Sequence, residues 1–172
     1  MSEGLGETLV LAVGNTLMGD DGAGQAMLAA LQDYAFSPEV RLVDGGTQGL
    51  YLLPCLEGAK NLLLLDATDA APGEVGLWQG EEVPRRLRAK KLSAHDVLLD
   101  EVLAVAVLLG QLPQGLALVG IGMKQLELGE GLSPEVEASL PQAVRFALGV
   151  LEQWGIKTKG KKEACALASP CG

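Results

Sequence analysis

The residues of this chain with the capacity for chemistry are few and mostly acidic. Asp20 and Asp21 follow the first apolar run, Asp44 follows the second, Asp66 and Asp69 follow the third, and His95 is the sole histidine. Carboxylates gathered at one place repel each other unless a proton, a cation or a helix N-terminus compensates. Two carboxylates and one imidazole, with positions left open, suit a borderline divalent ion such as nickel or zinc, whereas oxygen donors alone suit magnesium or calcium. Nucleophilic catalysis fits less well. There is no HExxH motif, no GxSxG elbow to present a serine, and only His95 to serve a Ser-His-Asp arrangement. Cys55 lies in the apolar stretch LLPCL, where a packed, inert thiol is expected.

The same residues have ordinary structural uses. Asp20 or Asp21 could simply cap the helix that follows and favour its dipole. Ser93 and Asp96 make an S-x-x-D pattern around His95 that resembles a capping box, which puts the histidine in the first turn of a helix. There the positive end of the dipole disfavours imidazolium and leaves a neutral ring able to bind a metal. The loop GNTLMGDDGAG sits between a strand and a helix, as a phosphate cradle would. It lacks the Lys-Ser/Thr pair of a P-loop and the GxGxxG spacing, and its acids stand where phosphate needs positive charge, so a nucleotide is not expected.

The elements that must position these residues are read from period and breakers. Strands are expected over 8–13, 40–43, 62–65 and 116–121, with an edge strand over 74–78, and helices over 22–34, 50–56, 93–109 and 133–154. The strands are apolar in succession rather than in alternation, which is the pattern of strands covered on both faces. The expected fold is therefore α/β, a three-layer sandwich with a mostly parallel twisted sheet flanked by helices. Ligands of such sheets bind beyond the carboxyl ends of the strands, where the acids lie. Residues 1–156 read as a single domain, and the Lys-rich remainder, 157–172, as a mobile tail. The basic run Arg85, Arg86, Arg88, Lys90 and Lys91 reads either as a solvated loop face or as a receptor for an acidic part of a partner.

Composition limits the function classes. Hydrophobic residues make up 48% and charged residues 20% of 172, too apolar for a disordered chain. No apolar run approaches the ~20 residues of a membrane span, and no secretory signal is evident, so a cytoplasmic location is expected. With 13 basic and 22 acidic residues the net charge is −9, which disfavours nucleic acid. The three cysteines, Cys55, Cys165 and Cys171, form no CxxC pair and argue against a disulfide framework or a sulfur-built zinc site.

Four motifs, in order, carry a resemblance: GNTLMGDDGAG, DGGTQG, LLLLDATD and SAHD. Together they resemble the motif set of the nickel-iron hydrogenase maturation endopeptidases, over roughly residues 8–156. The resemblance implies a cytoplasmic protease that removes the C-terminal extension of the hydrogenase large-subunit precursor once nickel is inserted, the nickel being supplied by the precursor. It implies Asp21, Asp66 and His95 as the metal-contacting side chains; some relatives carry Glu at the first position. Asp44 matches the acid before the double glycine and is a candidate for polarising water, for holding the cleaved peptide or for shaping the loop. Gly45 and Gly46 would admit the substrate backbone. A non-proteolytic nickel-binding chaperone for the same precursor would use the same three residues. No membrane insertion is expected, and a monomer suffices for the site.

Overall fold

The computed structural model describes residues 7–89 and 94–161, with the backbone alone for 94–98. Five strands form one sheet: β1 (Glu7–Val13), β2 (Val40–Gly46), β3 (Ala59–Thr68), β4 (Val75–Gln79) and β5 (Gly115–Gly122), in the order β2-β1-β3-β5-β4. All neighbours are parallel except β4, which runs antiparallel to β5 at the edge. Five α-helices connect them: α1 (Ala23–Leu31), α2 (Leu53–Leu56), α3 (Glu82–Ala89), α4 (Ala94–Leu108) and α5 (Pro134–Gln153).

Side-chain alternation divides the apolar strands between two cores. Val10, Leu63, Leu65 and Val119 pack with Met27 and Leu31 of α1 and Val144, Ala147 and Leu151 of α5. Leu9, Leu11, Leu62, Leu64 and Leu118 pack on the other face with Leu56 of α2, Val83 and Leu87 of α3, and Leu99, Val102 and Leu103 of α4. Every strand residue from Leu9 to Val13 and from Leu62 to Leu65 is therefore buried, which is why these strands read as uninterrupted apolar runs.

The connections create the crevice that matters. From β1 the chain passes through a 3-10 turn at Gly19–Gly22 into α1 and returns to β2 on one side of β1; from β2 it crosses to β3 on the other side. The ends of β1 and β3 are thus the topological switch point of the sheet, where a ligand can enter between diverging connections. Gly24 lets α1 start close against this point. A Cβ there would stand 2.5 Å from the Leu65 carbonyl oxygen and 2.6 Å from that of Val13.

Several elements differ from the sequence expectation. The segment around Arg85 is not a loop but helix α3, which Gly80 and Pro84 mask in the sequence. Arg86 pairs with Asp69 and lies 4.9 Å from the centre of the Trp78 ring, so this cation of the basic run is committed within the fold. Residues 157–161 run beside the end of α1: Lys159 N–H donates to the Ala35 carbonyl at 3.1 Å, and Ala35 N–H donates to Gly160 at 3.2 Å. The rest of the expected tail, with Cys165 and Cys171, lies outside the described residues, as do Lys90, Lys91 and Ser93.

Candidate metal and substrate site

The paired acids of the first loop have divided their roles. Asp20 is fully buried and accepts four hydrogen bonds from a segment more than a hundred residues away. Oδ2 accepts from Lys124 N–H at 2.9 Å, Gln125 N–H at 2.9 Å and the Ser133 hydroxyl at 2.8 Å; Oδ1 accepts from Ser133 N–H at 2.6 Å. Burial pushes the Asp20 carboxyl up, but the amides of Ser133, Gln125 and Lys124 and the Ser133 hydroxyl outweigh it and hold the group below its ordinary range. Asp20 therefore clamps the β5–α5 connection to the β1–α1 loop. Neither acid caps α1 through its side chain; the cap position is Gly22.

Asp21, next along, holds its own loop together. It is 2% exposed, and its Oδ2 accepts the Asn15 N–H at 2.9 Å, closing the loop on itself. Gly14 makes this closure possible. It has φ +133°, and a Cβ there would stand 2.0 Å from the Asp21 carbonyl oxygen.

Asp66, near the end of β3, is 1% exposed and accepts the Ala67 N–H at 2.8 Å. By alternation it shares a face with Leu62 and Leu64, the face covered by α4. Thr68, two residues on, is also buried, and its hydroxyl has no hydrogen-bond partner among the described residues. Its methyl occupies the space that a side chain at Gly120 would need, 2.3 Å from a Cβ built there.

His95 falls in the first turn of α4, four residues before the buried Leu99. Its side chain, like that of Asp96, lies outside the described residues, so the expected capping box is outside them too. Leu99 lines a small crevice with Val13, Gly46, Thr47, Gly49 and Leu52, which brings the start of α4 to the ends of β1 and β2. Among the described residues, no three His, Cys, Asp or Glu side chains gather as a metal site. Asp21 and Asp66 are both buried carboxylates at the carboxyl-end edge of the sheet. A buried carboxylate carries a desolvation cost that a nearby cation relieves.

Asp44 differs in kind: it is exposed, and its Oδ1 accepts from Gly46 N–H at 3.0 Å and from Gln25 Nε2 at 3.2 Å. Gln25 also donates to the Gly14 carbonyl at 2.9 Å, joining the first loop to the second. Nothing in the residue pattern marks Gln25 for this role. The two glycines after Asp44 also separate. A Cβ at Gly45 would stand 2.9 Å from Leu11 Cδ1, so Gly45 serves packing, whereas Gly46, with φ +50°, has open space beside it for an approaching backbone. Cys55 is a half-buried free thiol packed under the α4 face. Asp69 is taken by Arg86.

Comparison with known proteins agrees with this architecture. A family profile described as "Hydrogenase maturation protease" matches residues 26–150. The hydrogenase expression/formation protein HupD of Thiocapsa roseopersicina is 38% identical over 162 residues, covering 92% of this chain and 73% of that protein. The hydrogenase 2 maturation protease of Escherichia coli is 36% identical over 153 residues, covering 87% and 93%. The solved structure of the hydrogenase maturating endopeptidase HybD from E. coli superposes with a TM-score of 0.84 at 35% identity, covering 88% of this chain and 96% of that one. That of the nickel-iron hydrogenase maturation protease HybD from Thermococcus kodakarensis gives 0.70 at 32% identity, covering 84% and 98%. The switch-point acids therefore sit in a fold already associated with peptide cleavage, and the chain belongs to the hydrogenase maturation protease family.

Proposed function

We propose that this protein removes the C-terminal extension of the nickel-iron hydrogenase large-subunit precursor, and that it reads nickel already held by the precursor through Asp21, Asp66 and His95. The observation that carries this reading is the burial of two carboxylates at the switch-point edge, Asp21 in the turn after β1 at 2% exposed and Asp66 near the end of β3 at 1%. Buried carboxylates cluster at functional sites, and a cation delivered by the substrate gives these two a use. The start of α4 is at the same edge, and an imidazole near its positive end is held neutral and able to donate its lone pair.

When bound, the precursor's nickel supplies a fixed reference for the scissile bond and Lewis acidity toward it. The protein's own groups do the rest. Asp21 and Asp66 bind and orient, each anchored by a backbone amide that fixes its rotamer. Gly46 admits the extended substrate backbone. Asp44, open to solvent and steadied by Gln25, takes a proton from the attacking water or holds the departing peptide. Cleavage then reports that nickel insertion is complete.

No helix among the described residues is long and apolar enough to cross a membrane. His95→Ala, Asp21→Asn and Asp66→Asn are each expected to retain the fold and lose cleavage of the nickel-loaded precursor, read by gel shift of the large subunit. Normal processing by any one of them would remove that residue from the proposed site.

A further inference from the structure

The sheet edge that carries the site also carries most of the exposed apolar surface. Eight large hydrophobic side chains are exposed among the described residues, and five of them, Leu17, Leu50, Tyr51, Leu126 and Leu128, lie on the connections leaving the carboxyl ends of β1, β2 and β5. The other three, Val107, Leu108 and Leu109, are at the far end of α4. Leu128 and Tyr51 are each 85% exposed.

The five form two groups on either side of the crevice. Leu17, Leu126 and Leu128 belong to loops that enter the α1 and α5 layer; Leu50 and Tyr51 lie in the 3-10 turn that enters the α4 layer. The turn after β1, which carries Leu17, is tied to the end of β2 where Gly14 N–H donates to the Gly46 carbonyl at 3.0 Å.

These side chains are held outward by the backbone. Gly129 N–H donates to Leu17 at 2.8 Å, Gly19 N–H donates to Gly129 at 2.9 Å, and the Asp20 clamp fixes the loop from Lys124 to Ser133. An apolar group fixed in water, with little freedom left to lose, is prepared for a partner. Charge narrows the choice of partner. Asp44, Glu127 and Glu130 are exposed among these residues, and the one cation in the sequence from 123 to 133, Lys124, is paired with Glu135.

We infer that Leu17, Leu126 and Leu128 on one side and Leu50 and Tyr51 on the other are a docking clamp for an apolar, basic peptide segment laid across the crevice, the precursor chain flanking the scissile bond. The proposed function supplies the identity of the occupant, and the clamp itself rests on the exposed surface and its charge.

The test is equilibrium binding of purified nickel-loaded precursor to the full chain, with cleavage followed in parallel. Leu128→Ser and Tyr51→Ser should each weaken binding about tenfold, as the loss of one central apolar anchor does. Leu108→Ser, 84% exposed but at the far end of α4, should leave it unchanged. Thermal midpoints equal to wild type show that all three variants fold. Equal binding by wild type, Leu128→Ser and Tyr51→Ser overturns the inference. So does a wild-type dimer that Leu128→Ser dissociates, because the patch would then serve a second copy of the chain. Wild-type protein that binds with the expected pattern yet leaves the precursor uncut overturns the protease reading and leaves the clamp standing.

Discussion

Replacing Asp20 with Asn keeps the size of the side chain and changes only what it can accept. Its three donors on Oδ2, from Lys124, Gln125 and the Ser133 hydroxyl, fit the single carbonyl oxygen of the amide. The amide NH2 must then face Ser133 N–H across the 2.6 Å now spanned by a hydrogen bond, setting donor against donor. One buried N–H is left unsatisfied at a cost of about 1–3 kcal/mol, and the three remaining bonds lose their charge assistance. The expected loss is about 2–4 kcal/mol, measured as a fall in the urea midpoint at constant slope. Amide exchange should rise first at Lys124, Gln125 and Ser133, since these are the groups released.

The acid limb gives a second reading of the same group. The folded Asp20 carboxyl lies below its ordinary value of 3.8. A depressed carboxyl contributes stability that is complete above its unfolded value and is lost as pH falls through the folded one. Wild type should therefore lose this contribution below about pH 4, and Asp20→Asn should show a shallower fall over the same window. Stability of Asp20→Asn within about 0.5 kcal/mol of wild type would refute the clamp, because changes at ordinary surface positions stay within that range.

Three further substitutions probe the core and the site. Thr68→Val replaces a buried hydroxyl that has no partner among the described residues with a methyl of the same shape and should stabilise by about 1 kcal/mol, raising Tm by about 2–4 °C. Gly24→Ala drives a Cβ into the carbonyls of Leu65 and Val13 and should cost about 1–3 kcal/mol in chemical denaturation, unless α1 shifts away from the sheet. Asp66→Asn keeps the size of the buried side chain and should retain a cooperative thermal transition while processing of the precursor, read by gel shift, is lost.

Much of this architecture is legible in the sequence because burial on both faces leaves a plain mark. The runs LVLAV and LLLL announce β1 and β3, and the long apolar periods announce α4 and α5. The sheet edge that gathers Asp21, Asp44 and Asp66 follows from their places at strand ends. What each acid does there is not legible in the same way. Asp20 and Asp21 are adjacent and chemically identical, and only the return of the chain at Lys124 and Ser133 makes one a clamp and leaves the other at the crevice. Helix α3 escapes a local reading because its stability comes from Val83 and Leu87 packing under the sheet rather than from a long apolar period. Gln25 escapes because a polar residue on a helix shows nothing of a partner in another loop.

The central claim, that the acids at the switch point read a metal carried by the substrate, is tested most directly by intact mass. Purified precursor, loaded with nickel or free of it, is incubated with the protein and the large subunit is weighed. Loss of the C-terminal extension from the loaded form alone is the predicted result. Equal shortening of the nickel-free form would contradict it, since Asp21, Asp66 and His95 would then have no ion to read.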